Sequence, residues 1–163
     1  MVIVLVGPAG AGKTTVGTAL AAQLGWTFIE AANHLSPAAL LDLSAGRRLT
    51  DDERAGWLTR VHAFVARAID RREPLVLACP ALTALDRSHI ANGLKPVRFV
   101  YLKSNRDALV ARLPHGPHRV GREQQLDDQL AVLEAPTPDH ALTLDATADV
   151  DTLIGHIRLE FGV

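Results

Sequence analysis

Short apolar runs alternate along this chain with longer stretches whose apolar positions recur every three to four residues. That is the pattern of buried strands and amphipathic helices built around a parallel sheet. Residues 2–6 read as a fully buried first strand. In 13–24, Val16, Ala19, Leu20 and Leu24 fall at helical spacing, and Gly25 follows as a stop. Residues 27–30 predict a second strand, and 37–45 and 51–71 predict helices, the latter opening on acidic residues suited to a helix N-terminus. Strands follow at 75–79, closed by Pro80, at 97–102 and at 141–144, with helices at 86–92, 107–113, 124–133 and 150–161. Between Pro114 and Arg122 stand two prolines, two glycines, two histidines and two arginines without apolar periodicity, so 113–123 is expected to be a lid loop.

A length of 163 residues with 48% hydrophobic content supports one domain, 1–163, with a real core. Seventeen basic residues against eighteen acidic ones leave a net charge of −1, which argues against nucleic acid as a partner. Three of the basic residues are lysines: Lys13, Lys95 and Lys103. Cys79 is the lone cysteine, so an intrachain disulfide and a cysteine metal cluster are both excluded. No apolar run reaches the roughly 18 residues of a membrane span, and the expectation is a soluble, cytoplasmic protein without a membrane partner.

Lysine scarcity gives weight to where one lysine stands. Gly7-Pro8-Ala9-Gly10-Ala11-Gly12-Lys13-Thr14 matches G-x-x-x-x-G-K-[ST] between a predicted buried strand and a predicted helix. Successive N–H groups of such a turn converge on phosphate oxygens, and the helix N-terminus that carries Lys13, Thr14 and Thr15 adds its positive end. A compact ammonium at Lys13 can reach the β- and γ-phosphates of ATP, and the Thr14 hydroxyl is placed to ligate Mg2+. The third strand, L-V-L-A-C-P, ends without the aspartate that often assists such a metal.

The run L-T-D-D-E-R-A-G-W-L at 49–58 resembles the L-T/N-D-D-D-R-x-P-W-L segment of gluconokinases, and C-P-A-L at 79–82 resembles their C-S-A-L. F-V-Y-L-K at 99–103, R-L at 112–113 and L-E-A-P at 133–136 occur in the matching order. The resemblance implies a three-layer α/β/α P-loop kinase fold, with a five-stranded parallel sheet and a lid. It also implies ATP and Mg2+ as cofactors, gluconate or a related sugar acid as small-molecule substrate, and suggests a homodimer. Acceptor-side positions depart from the family. Its second Asp, His, Asn and Lys become Ala32, Leu35, Ala39 and Asp42; the Lys after C-S-A-L becomes Thr83; its Tyr-Arg-Asp becomes Asp86-Arg87-Ser88; and Gly116, His118, Arg119 and Val120 fall where its lid motif stands.

Glu30, at the carboxyl end of the second strand, is placed to support the metal shell or to orient an acceptor hydroxyl. Arg54 offers a planar two-pronged donor for the acceptor's carboxylate, and His34 stands one position from the family's missing histidine. By resemblance Arg112 lies near the adenine, and Arg119 or Arg122 near the phosphates. Cys79, Trp57 and Phe64 read as packing residues. Donor-side features survive better than acceptor-side ones, so two alternatives stay open: a kinase for a shikimate-like or nucleotide acceptor, and a non-catalytic ATP-binding module.

Overall fold

The computed structural model describes residues 1–44, 47–115 and 119–163, without the side chains of residues 44, 119 and 120. In chain order the elements are β1 (Val2–Val6), α1 (Lys13–Leu24), β2 (Thr27–Glu30), a 3-10 turn (Ala31–His34), α2 (Pro37–Ser44), α3 (Asp51–Asp70), β3 (Leu75–Ala78), α4 (Ala84–Ala91), β4 (Val97–Lys103), α5 (Arg106–Ala111), α6 (Arg119–Val132), β5 (Leu142–Asp145) and α7 (Val150–Phe161). The five strands form one sheet in the order β2-β3-β1-β4-β5. All four pairings are parallel, with Val2 opposite both Leu75 and Val97 and Glu30 opposite Ala78.

Central β1 is apolar at every position because both its faces are covered, the rule for a parallel sheet between helix layers. Val2, Val4 and Val6 face one core cluster with Trp57, Leu58, Val61 and Val65 of α3. Ile3 and Leu5 face the other, with Val16 and Leu20 of α1 and Ile154 and Ile157 of α7. Gly17 lets α1 sit close to the sheet: a Cβ there would lie 2.4 Å from the Phe28 ring. That close approach draws β2 in beside α1, and with it Glu30 at the strand's end.

Most elements fall where the pattern predicts, and the differences have local causes. Helix α4 starts at Ala84 rather than at 86 because Thr83 and Asp86 make a reciprocal capping box, Thr83 Oγ1 accepting from Asp86 N while Asp86 accepts from Thr83 N. Strand β3 stops at Ala78, one residue short of Cys79, and β4 and β5 both run one residue further than expected, to Lys103 and Asp145, which pair with each other. The larger correction concerns the lid. Residues 119–123 are the first turns of α6, not loop. Both prolines of this region lie upstream, and beyond Arg119 the apolar Leu126 and Leu130 recur one turn apart, so Gly121 at about 1 kcal/mol is too weak to stop the helix. The rest of the lid expectation at 116–118, like the end of the second predicted helix at 45, lies outside the described residues.

Candidate active site

The carboxyl edge of the sheet gathers the loop after β1, Glu30 at the end of β2, Cys79 after β3 and the residues after β4, as the winding of an open parallel sheet dictates. Gly10 has φ 80°, and a Cβ there would lie 2.8 Å from the Leu109 carbonyl, so only glycine fits between loop and α5. The amides of Lys13, Thr14 and Thr15, in the first turn of α1, have no helical acceptor. With Gly10, Gly12 and Arg112 these residues line a recess of about 350 Å3. A second recess of about 190 Å3 adjoins it through Gly12, Thr15 and Arg112 and continues along Ala146, Ala148, Val150 and Leu153. A polar end wrapped in amides leading to an apolar end suits a nucleotide lying phosphates first. Arg112 is held over the junction by its bond to the Ala146 carbonyl, at 2.7 Å.

Lys13 folds back over the loop, its Nζ donating to the carbonyls of Gly7 and Pro8 at 2.8 Å each. Burial of the ammonium lowers its pKa to about 8, against an opposing pull from Glu30. Phosphate charge would reverse that shift, so in the free protein Lys13 deprotonates near pH 8 and in the nucleotide complex it does not. Affinity for ADP is therefore expected to be flat from pH 6.5 to 7.5 and to fall above pH 8, approaching tenfold per pH unit, with proton uptake on binding. Titration calorimetry in buffers of different ionisation enthalpy reads this directly, and an affinity unchanged from pH 7 to 9.5 would contradict it.

Thr14 Oγ1 donates to Glu30 Oε1 at 2.5 Å, so the two oxygens assigned to the metal end of the site are brought together. Magnesium binds through one or two protein oxygens, with phosphates and water completing an octahedron. The exposed Thr14–Glu30 pair beside the recess fits that requirement. Cys79 is fully buried behind it, its thiol pushed up to about 12 by burial, and is packing rather than nucleophile.

Arg54, in the first turn of α3, is engaged by a residue the sequence reading did not assign to it. Its Nε donates to Asp86 Oδ1 at 2.9 Å and its Nη2 to Asp86 Oδ2. Burial alone would raise the Asp86 carboxyl; hydrogen bonds from Arg54 and Thr83 hold it below the usual carboxylate range. Arg54 keeps about a third of its side-chain surface exposed, so its outer edge remains open to a ligand. T-x-x-D at 83–86 is a capping-box signature, and reading it would have placed Asp86 at the start of α4.

His34 goes elsewhere. Its ring packs on Phe64, centroids 4.6 Å apart, and its carbonyl accepts from Arg60. Residues 60–64 lie roughly 9–15 Å along α3 from Arg54, and burial together with the Arg67 and Arg60 charges lowers the imidazole pKa. The expected substitute for the family's histidine is thus a packing residue. Leu35 and Ala39, at the family's His and Asn positions, are buried in the core cluster that contains Trp57. Trp57 itself is core, its indole N–H donating to the Ala31 carbonyl at 2.8 Å. Arg122 lies on α6 and donates to the Pro114 carbonyl at 3.2 Å. Arg119 is the first residue of that helix.

Two further residues escaped the sequence reading. Buried Arg87 donates to the carbonyls of Ala81, Leu82 and Glu134. Gln129 on α6 accepts from the amide of Ala9 at 2.7 Å. For Gln129 the sequence offers no local signal, because the contact joins residues 120 positions apart.

A phosphate loop between β1 and α1, at the carboxyl edge of a parallel sheet ordered β2-β3-β1-β4-β5, defines the class: an ATP-using P-loop phosphotransferase. A family model described as an AAA domain matches residues 2–136. A probable gluconokinase of Schizosaccharomyces pombe is 35% identical over 145 residues, covering 85% of this chain and 75% of that protein. The gluconokinase of Gluconobacter oxydans is 35% identical over 137 residues, covering 84% and 77%. The crystal structure of a sugar kinase from Janibacter sp. HTCC2649 superposes with a TM-score of 0.88 at 27% identity, over 99% of this chain and 94% of that one. The chain belongs to the gluconokinase family of P-loop kinases.

Proposed function

We propose that the protein is an ATP-dependent gluconokinase, moving the γ-phosphoryl group of ATP to a hydroxyl of gluconate. The observation that carries the reading is the shared sheet edge: the loop and Lys13, the Thr14–Glu30 pair and Arg54 all converge there, in a chain of gluconokinase kinship. The bond from the γ-phosphorus to the β–γ bridging oxygen breaks, a bond from the acceptor oxygen to that phosphorus forms, and the hydroxyl proton leaves toward Glu30 or water. Lys13, freed from the Gly7 and Pro8 carbonyls, holds the β- and γ-phosphate oxygens with the amides at the start of α1. Thr14 and Glu30 would hold Mg2+, which would offset the phosphate charge. Arg112 sits on the nucleotide side, and Arg122, on α6, is assigned to the phosphates; the side chain of Arg119, the other candidate, lies outside the described residues.

Arg54 presents its open edge to the gluconate carboxylate while Asp86 fixes the other edge. A buried Cys79 thiol suits a reducing compartment, and we place the protein in the cytoplasm. An ADP-release assay with gluconate, shikimate and AMP as acceptors tests the reading, and gluconate should give the highest kcat/KM. Arg54→Lys keeps a cation against Asp86 but loses the planar fork; it should raise KM for gluconate about tenfold and leave KM for ATP within about twofold. Faster turnover with shikimate or AMP overturns the acceptor assignment.

A further inference from the structure

The peptide between Pro8 and Ala9 is gripped from both ends. Its carbonyl accepts from Lys13 Nζ at 2.8 Å, and its N–H donates to Gln129 Oε1 at 2.7 Å. The two grips differ in what happens to them during the reaction. Lys13 must leave the carbonyl to reach a phosphate, whereas Gln129 sits on α6, a helix fastened independently: Asp127 to Arg106, Asp128 to Arg48, and Gln125 Nε2 to the Leu43 carbonyl at 3.1 Å. We propose that Gln129 is a positioning residue of the phosphate loop, holding the Pro8–Ala9 peptide plane through the Ala9 N–H while Lys13 lets go of the carbonyl of that same peptide.

The need follows from the loop's chemistry. Pro8 has no N–H to anchor its own end of this stretch, and among the described residues the Pro8 carbonyl has one other donor, the Ala11 amide at a longer 3.3 Å. With Lys13 gone and no Gln129, the long Ala11 bond alone holds the peptide against turning its carbonyl oxygen toward the recess, where it would face the phosphate oxygens. Gln129 therefore keeps an acceptor out of an anion site without touching the nucleotide. The Ala9 amide, expected from the motif to join the phosphate cradle, serves the loop's shape instead.

The inference rests on the nucleotide-binding half of the reading above and not on gluconate. Its test uses ADP without any acceptor, so an error about the acceptor leaves it standing. Gln129→Leu removes the acceptor atom at similar size; Gln125→Leu is the matched control, cutting α6 from α2 one turn away. In the protein without nucleotide, the Ala9 amide proton should resonate far downfield in wild type and in Gln125→Leu, and move upfield in Gln129→Leu. Gln129→Leu should weaken ADP binding about threefold to tenfold, and Gln125→Leu should stay within about twofold. Equal losses in the two variants would mean that docking of α6 matters rather than this peptide. That result, or an unmoved Ala9 resonance with unchanged ADP affinity in Gln129→Leu, overturns the proposal.

Discussion

Lys13→Ala is expected to reduce kcat about a hundredfold to a thousandfold, the usual loss when one preorganised donor to a developing anion is removed, while the melting temperature of the protein without nucleotide does not fall. Both halves come from the same geometry. In the empty loop the ammonium is bonded to two carbonyls, and its burial still lowers the pKa from 10.5 to about 8. A base whose folded-state pKa lies below its unfolded value binds protons less well when folded. Its charged form therefore works against folding below pH 8, and stability recovers as pH rises from 8 to 10.5. Alanine removes that burden along with the phosphate contact. Scanning calorimetry of both proteins at pH 7, with and without ADP, checks the pair of claims: ADP should raise the wild-type melting temperature strongly and that of Lys13→Ala little. A variant that melts well below wild type without ADP would show that Lys13 holds the loop together rather than waiting in it under strain.

Apolar runs located all five strands to within a residue: β1 and β3, covered on both faces, are apolar at every position, and the other three keep shorter apolar stretches between polar residues. The loop motif was legible because its chemistry is local: Gly10 sits against the Leu109 carbonyl, and Lys13 and Thr14 follow within four residues. Glu30 was legible from strand polarity alone, since the carboxyl end of β2 must share an edge with the loop. Arg54 was half legible. Its residue type pointed to a carboxylate, and the structure shows that a protein carboxylate, Asp86, already holds one edge of it.

The misplaced His34 and the unassigned Gln129 and Arg87 share a cause. Each owes its setting to residues on other elements, and no spacing along the chain encodes which helix face a ring or an amide meets. The lid expectation at 113–123 weighed the prolines and glycines and missed that α6 begins as soon as the prolines end. The acceptor-side departures also gain a physical account. Leu35 and Ala39 are buried core rather than a stripped pocket wall, so the chain traded polar groups for packing there while keeping Arg54 at the edge.

Arg87 shows how much of the site depends on a residue that touches no substrate, and its loss should be the most destabilising single change described. It is 8% exposed, with Nη1 donating to the Ala81 and Leu82 carbonyls at 3.0 and 3.2 Å and Nη2 to the Glu134 carbonyl at 2.8 Å. Glu134 returns the grip, its N–H reaching the Leu82 carbonyl at 2.9 Å and its carboxylate accepting from Ala84 N at 2.6 Å. The turn so clamped holds Ala81 at φ 36°, a left-handed conformation unusual for alanine. The preceding Pro80 carbonyl accepts from the Gly7 amide at 3.2 Å, so the clamp reaches the first residue of the phosphate loop. Arg87→Ala strands the Ala81 and Glu134 carbonyls, leaves the Leu82 carbonyl with the Glu134 amide alone, and opens a hole where the guanidinium lay, at a cost of about 2–4 kcal/mol. For a chain of this length that lowers the melting temperature by about 5–15 °C. Arg87→Lys should recover little, because one ammonium cannot span donors set for a planar fork. Arg106→Ala, which breaks the exposed pair with Asp127, is the contrast and should leave the melting temperature close to that of wild type. Below its melting temperature Arg87→Ala should also lose several-fold in kcat, as Ala81 relaxes and the Gly7 anchor loosens; melting curves and steady-state rates on the three variants separate the clamp from a generic surface charge. An Arg87→Ala protein melting within 2 °C of wild type, about 1 kcal/mol at this size, would mean the turn holds its shape without the clamp.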